Sequence, residues 1–147
     1  MLLFNEEYIP ASGKFLDLDI KIKKPIDGIF EPRQGSMTLL YTDWENLEVL
    51  NMHTIGDRYK YCSINSTVMA WNNDNRHFIW EHFIQNKSKI EFLFTGIDQY
   101  LEHVHLDELT FFDKRLVGSY RCNPHDNVYI MSYDGEGKDG FDLYDEE

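Results

Sequence analysis

The chain has 147 residues and carries 26 Asp and Glu against 14 Lys and Arg, a net charge of −12. A surface of that sign repels phosphate backbones and anionic bilayers, which argues against nucleic acid and membranes as partners. Ten Phe, nine Tyr and three Trp supply a 15% aromatic share, enough buried area for one core at one-domain length, so chain-wide disorder is excluded.

Met1-Leu-Leu-Phe4 gives way to Asn5-Glu6-Glu7 with no basic residue before it, so no signal peptide is expected. From Leu16 to Ile22 the chain alternates, placing Leu16, Leu18, Ile20 and Ile22 on one face and Asp17, Asp19, Lys21 and Lys23 on the other; that period predicts one half-buried strand. Pro25, Gly28, Pro32 and Gly35 punctuate a loop before Met37 to Thr42, a second strand that ends at the polar turn Asp43-Trp-Glu-Asn46. Leu47 to Ile55 reads as another strand, and Tyr59 to Trp71, rich in β-branched and aromatic residues, as a long strand or a bent pair.

Asn72-Asn-Asp-Asn75 offers helix caps. In residues 76–86, Ile79, Trp80, Phe83 and Ile84 form a helical stripe, while Phe78, Trp80 and Ile84 also fit a strand; a helix is the reading taken. Ile90 to Phe94 reads as a strand, Asp98 to His105 as a short helix, Leu109 to Phe112 as a strand and Asn127 to Tyr133 as the last. Strands outnumber helices and follow one another closely, which predicts an α+β or mostly β domain with an antiparallel sheet and one or two short helices, spanning 1–133.

Cys62 and Cys122 stand sixty residues apart and match no disulfide framework or CxxC pair. They read as reduced thiols, which places the protein in the cytoplasm.

Three stretches carry candidate chemistry. His103-Val-His-Leu-Asp107 would direct three polar groups to one face if it were a strand, a spacing that seats a divalent metal. The run resembles the HxHxDH signature of metallo-β-lactamase-type hydrolases and departs from it at Glu108. On a helix, His103 and His105 would point to different faces. Asp134, Glu136 and Asp145 fall at the first, third and twelfth positions of an EF-hand-like series, but Lys138 occupies the fifth and Asp139 replaces the required glycine. Cys122-Asn-Pro-His125 pairs a thiol with an imidazole only along a turn. Neither a phosphate-binding nor a nucleophile-elbow motif is present. The chain is therefore read as a non-enzyme with no cofactor and no bound metal.

The acidity is uneven. Residues 1–73 hold ten acidic and seven basic side chains, residues 74–133 nine and six, and residues 134–147 seven acids against Lys138 alone. Half of the net charge sits in that last, glycine-containing segment, predicted to be a flexible tail. There Asp134, Glu136, Asp139, Asp142 and Asp145 alternate with Phe141 and Tyr144, carboxylates to steer a basic partner and rings to anchor it. In size and charge the chain looks like bacterial toxin-immunity proteins and nucleic-acid-mimicking inhibitors. That likeness implies neutralisation of a basic protein such as a nuclease toxin domain. The alternatives are an accessory subunit of a larger assembly and a metal-dependent hydrolase of unrecognised type.

Overall fold

A computed structural model describes residues 4–5, 7–26, 35–42, 63–72, 76–120 and 127–133. Among the described residues, seven strands and two helices follow in the order β1 (Ser12–Leu16), β2 (Ile20–Ile22), β3 (Ser36–Tyr41), β4 (Ile64–Asn72), α1 (Arg76–Leu93), α2 (Ile97–His105), a 3-10 turn (Leu106–Glu108), β5 (Leu109–Phe111), β6 (Val117–Ser119) and β7 (Ile130–Ser132). The strands form two sheets, β1-β4-β3-β5 and β2-β7-β6. The antiparallel expectation holds for β1/β4, β3/β4 and β2/β7, while β5 lies parallel to β3 and β6 parallel to β7. The crossover that β3/β5 requires is supplied by β4 and both helices, the length of chain a parallel pair needs.

β4 explains the layering. Successive residues of a strand point to opposite faces, and here both faces are covered. Met69 and Trp71 join Met37, Leu39, Ile79, Tyr100 and Leu101 in one core beneath the helices. Val68 and Ala70 join Leu40, Val117 and Ile130 in a second core beneath the other sheet. The architecture is thus helices, sheet, sheet, in a single compact α+β domain. Ile130 faces the middle core, while its neighbour Met131 faces a third cluster with Val128 and Tyr133.

The alternating run 16–22 does not form one strand. β1 ends at Leu16 in the first sheet and β2 begins at Ile20 in the second, with Asp17-Leu-Asp19 turning between them. Leu18 is consequently 91% exposed. Asp17 supplies its own turn chemistry, its carboxylate accepting the Leu18 N–H at 2.7 Å. The Asp17 N–H stays with the first sheet on the Thr67 carbonyl, and the Asp19 carbonyl already accepts from Tyr133 beside the second.

The expected strand at 90–94 is also overturned. α1 runs on through Leu93, breaking its helical dihedrals at Asn86 (φ −119°, ψ 16°), whose side-chain amide donates to the His82 carbonyl at 3.0 Å. Ile90 returns to the core beyond that kink. The alternation of Ile90, Phe92 and Phe94 reflects no two-faced burial, since Phe92 is 87% exposed. The helices expected at 76–86 and 98–105 and the strands at 37–42, 109–112 and 127–133 are all found, with shorter or shifted ends. β4 occupies the second half of the predicted 59–71 strand. β6, with its Gly118, carries too little apolar signal to read from sequence. The strand predicted at 47–55, both cysteines and the segment 134–147 lie outside the described residues.

Candidate functional site

α2 is built to serve β4. Between Leu39 and Leu40 the β3/β4 register jumps, so that Leu39 faces Met69 but Leu40 faces Asn65. Such an irregularity leaves backbone groups without a ladder partner, and buried N–H groups must find another. At the jump, Ser66 N–H donates to Asp98 at 3.0 Å; just before β4, Ser63 N–H donates to both oxygens of Glu102 at 2.9 and 3.1 Å. Asp98 and Glu102 are one helical turn apart and lie on the same face. Asn65 Oδ1 accepts the Thr67 N–H at 2.7 Å and completes the repair. At the start of α2, Gln99 reaches back to accept from both the N–H and the hydroxyl of Thr95, a variation on the reciprocal helix cap.

α2 also carries the most concentrated chemistry among the described residues. Tyr100 is buried in the helix-side core, and its hydroxyl oxygen lies 2.8 Å from His105 Nε2, 2.9 Å from His82 Nδ1 and 3.2 Å from the Ile79 carbonyl oxygen. His105, also buried, turns its other nitrogen to Glu108 Oε2 at 3.1 Å. A continuous chain therefore runs from Glu108 on the 3-10 turn through His105 and Tyr100 of α2 to His82 of α1. The rings pack as well: His82 lies parallel to Tyr100, and His105 meets both edge-on at centroid distances of 5.3 and 5.1 Å.

Burial governs the protonation of this chain. It disfavours the phenolate, and the nearby Glu108 charge adds to that, so the Tyr100 hydroxyl is pushed up to about 12. It also disfavours the imidazolium, so His105 is lowered; the Glu108 hydrogen bond and charge oppose the shift, and His82 reinforces it. At neutral pH the chain is a set of fixed donors and acceptors centred on a neutral tyrosine.

His103, His105 and Asp107 are not brought together. His103 is exposed and stacks on Phe94 at 5.7 Å, His105 is turned inward to Tyr100, and Asp107 lies exposed on the 3-10 turn. Among the described residues no group of three His, Cys, Asp or Glu side chains gathers as a metal site. The helical reading of this stretch, with its two histidines on different faces, is the one found. His82, Tyr100 and Glu108 were missed as participants. Only the His105/Glu108 spacing of three residues carried a local signal, because the 3-10 turn continues the helix and keeps such pairs adjacent. The tail residues Asp134, Glu136, Asp139, Phe141, Asp142, Tyr144 and Asp145 lie outside the described residues.

A second polar constellation fixes the N-terminal turn. The Pro10 carbonyl accepts both the Trp71 indole N–H at 3.0 Å and an Arg76 guanidinium N–H at 2.8 Å. Arg76, only 1% exposed, lies over the Trp71 ring at 4.6 Å. This group is a structural clamp, with a charge-assisted bond and a cation–π contact offsetting part of the cost of burying the guanidinium.

No family model, curated protein or solved structure matches the chain. No described helix is long and apolar enough to cross a membrane.

Proposed function

We propose that this protein acts by binding, as a small acidic module that neutralises a basic protein partner, with an immunity or inhibitor protein against a nuclease-type toxin as the leading form. The observation that carries the reading is the charge: −12 overall, half of it between Asp134 and Glu147. Carboxylates at that density speed encounter with a basic surface and stand in for the phosphates a nuclease would otherwise meet. Phe141 and Tyr144, set among Asp134, Glu136, Asp139, Asp142 and Asp145, supply the apolar area that steering alone lacks.

The test begins with recovery of the partner from the native cell by the full-length chain and sequencing of the adjacent reading frame. Association rates are then measured between low and physiological salt. A basic partner whose on-rate falls steeply with salt supports the reading. An acidic partner, or a rate indifferent to salt, rejects it.

A second reading, an accessory subunit of a larger assembly, draws support from the outer side of α1, where Phe78, Ile84, Phe92 and Leu93 are all at least half exposed. A well-behaved monomer in sedimentation analysis would count against an obligate subunit.

A further inference from the structure

We propose that Glu108, His105, Tyr100 and His82 form a proton relay, in which protonation of His105 is transmitted to α1 by reorientation of the Tyr100 hydroxyl. The proposal follows from counting hydrogens. With Glu108 ionised and His105 neutral, the His105 Nδ1 must carry its hydrogen, because it faces a carboxylate oxygen at 3.1 Å. Its Nε2 is then an acceptor, and the hydroxyl 2.8 Å away must donate to it. The hydroxyl's one hydrogen is thereby used, so His82 Nδ1, at 2.9 Å, donates to the phenolic oxygen. The three contacts along the chain are satisfied, with all hydrogens running from His82 toward Glu108.

Adding a proton to His105 reverses one link. Nε2 becomes a donor to the phenolic oxygen, which already accepts from His82, and the hydroxyl hydrogen must find a new acceptor. The Ile79 carbonyl oxygen, 3.2 Å away in the first turn of α1, is in place. No heavy atom has to move, and the phenolic oxygen ends with two bonds accepted and one donated, its full capacity. The proton's effect thus passes from the α2 end of the chain to the backbone of α1. There the hydroxyl competes with the helix for the carbonyl that receives the N–H four residues on.

α1 is poised to respond. Of its eighteen residues only Arg76, Ile79 and Ile90 are fully buried, and its dihedrals already break at Asn86, just past His82. Among the described residues, the titratable groups facing His105 are His82 from α1, Tyr100 from α2 and Glu108 from the 3-10 turn. Asp98 and Glu102 of α2 are instead engaged with the Ser66 and Ser63 amides of β4, and the sheet contributes apolar side chains to this core.

The experiment is an NMR titration of the full chain from pH 7.5 to 4.5, following the His105 ring together with the amides of residues 79–83, alongside amide hydrogen exchange of α1 at the two extremes. The expected result is that the 79–83 amides shift with the same midpoint as the His105 ring, and that the amides of α1 exchange faster at the acid end than at neutral pH. In Tyr100→Phe, which keeps the ring and removes the hydroxyl, His105 still titrates but the amides no longer follow. His105→Gln, which takes up no proton, keeps α1 equally protected at both extremes. The relay is refuted if the amides stay still while His105 titrates in the unmodified chain, or if they follow it equally well in Tyr100→Phe. Should Tyr100→Phe fail to fold, the amide midpoint in the unmodified chain and the exchange of His105→Gln decide the matter.

Discussion

Gly13 and Trp71 are partners across β1 and β4, and a Cβ built on Gly13 would lie 2.7 Å from Trp71 Cζ2. The indole cannot turn away easily, because its N–H is tied to Pro10 and Arg76 covers its face. Gly13→Ala should therefore destabilise by about 1–3 kcal/mol, the usual cost of overpacking, as read by urea unfolding. Tyr100→Phe removes the group that joins two imidazole nitrogens and should cost about 1–3 kcal/mol. The protonation equilibria set the pH range of stability. His105 is held below its ordinary value of 6.5, so the unfolded chain takes up a proton that the fold resists. Its contribution is complete above pH 6.5 and is lost as pH falls through the window beneath that value. At the other extreme the Tyr100 hydroxyl is raised from 10.0 to about 12, so its contribution is complete below pH 10 and is lost as pH rises through that interval. Chemical unfolding across both windows should show the two declines, and His105→Gln should flatten the acidic one.

At the level of elements, α1 and β4 stand at opposite ends of the stability range. β4 is hydrogen-bonded on both edges and covered on both faces, whereas α1 is exposed along most of its length. Hydrogen exchange should accordingly be slowest in residues 68–71 and much faster in α1. Equal protection in the two would show that α1 is held by more than its packing on the sheet. Removing the acceptor that Glu102 provides, by Glu102→Ala, should cost about 1–3 kcal/mol, because the N–H of buried Ser63, just before β4, donates to both of its carboxylate oxygens. The sequence carried much of this level. Of the helical stripe, Ile79, Trp80 and Phe83 contact the core while Ile84 is exposed, and the β-branched, aromatic run ending at Trp71 survives in its second half as β4. The split of residues 16–22 was hidden, because Leu18 looks apolar whether its strand continues or turns. The continuation of α1 past Asn86 was hidden for a related reason: Phe92 and Leu93 look like a core strand and are in fact exposed.

For the molecule as a whole, charge and fold are separable. The body from 1 to 133 carries about half the net charge and the last fourteen residues the other half. If the tail steers a basic partner, neutralising Asp134, Glu136, Asp139, Asp142 and Asp145 to the corresponding amides should slow association about tenfold or more at low salt while leaving folding unchanged. An unchanged rate would move the contact to the folded body. The buried relay belongs to that body, and its response to acid should persist in the tail-neutralised chain.

The sequence by itself determined the α+β class, the helices that begin near residues 76 and 98 among short strands and the placing of charge, because periodicity and charge are local properties written residue by residue. It also marked His105 as unusual, though for a metal. Tertiary structure alone decided that β5 and β6 pair in parallel and that the chain changes sheets at Asp17-Leu-Asp19. It likewise decided that Asp98 bonds the amide at a break in a distant strand and that Glu102 caps the strand's start. The relay depends on the same kind of long-range placement. His82 lies eighteen residues from Tyr100, and only the packing of α1 on α2 brings its ring to the hydroxyl that His105 also reaches; no repeat, spacing or charge pattern along the chain encodes that meeting.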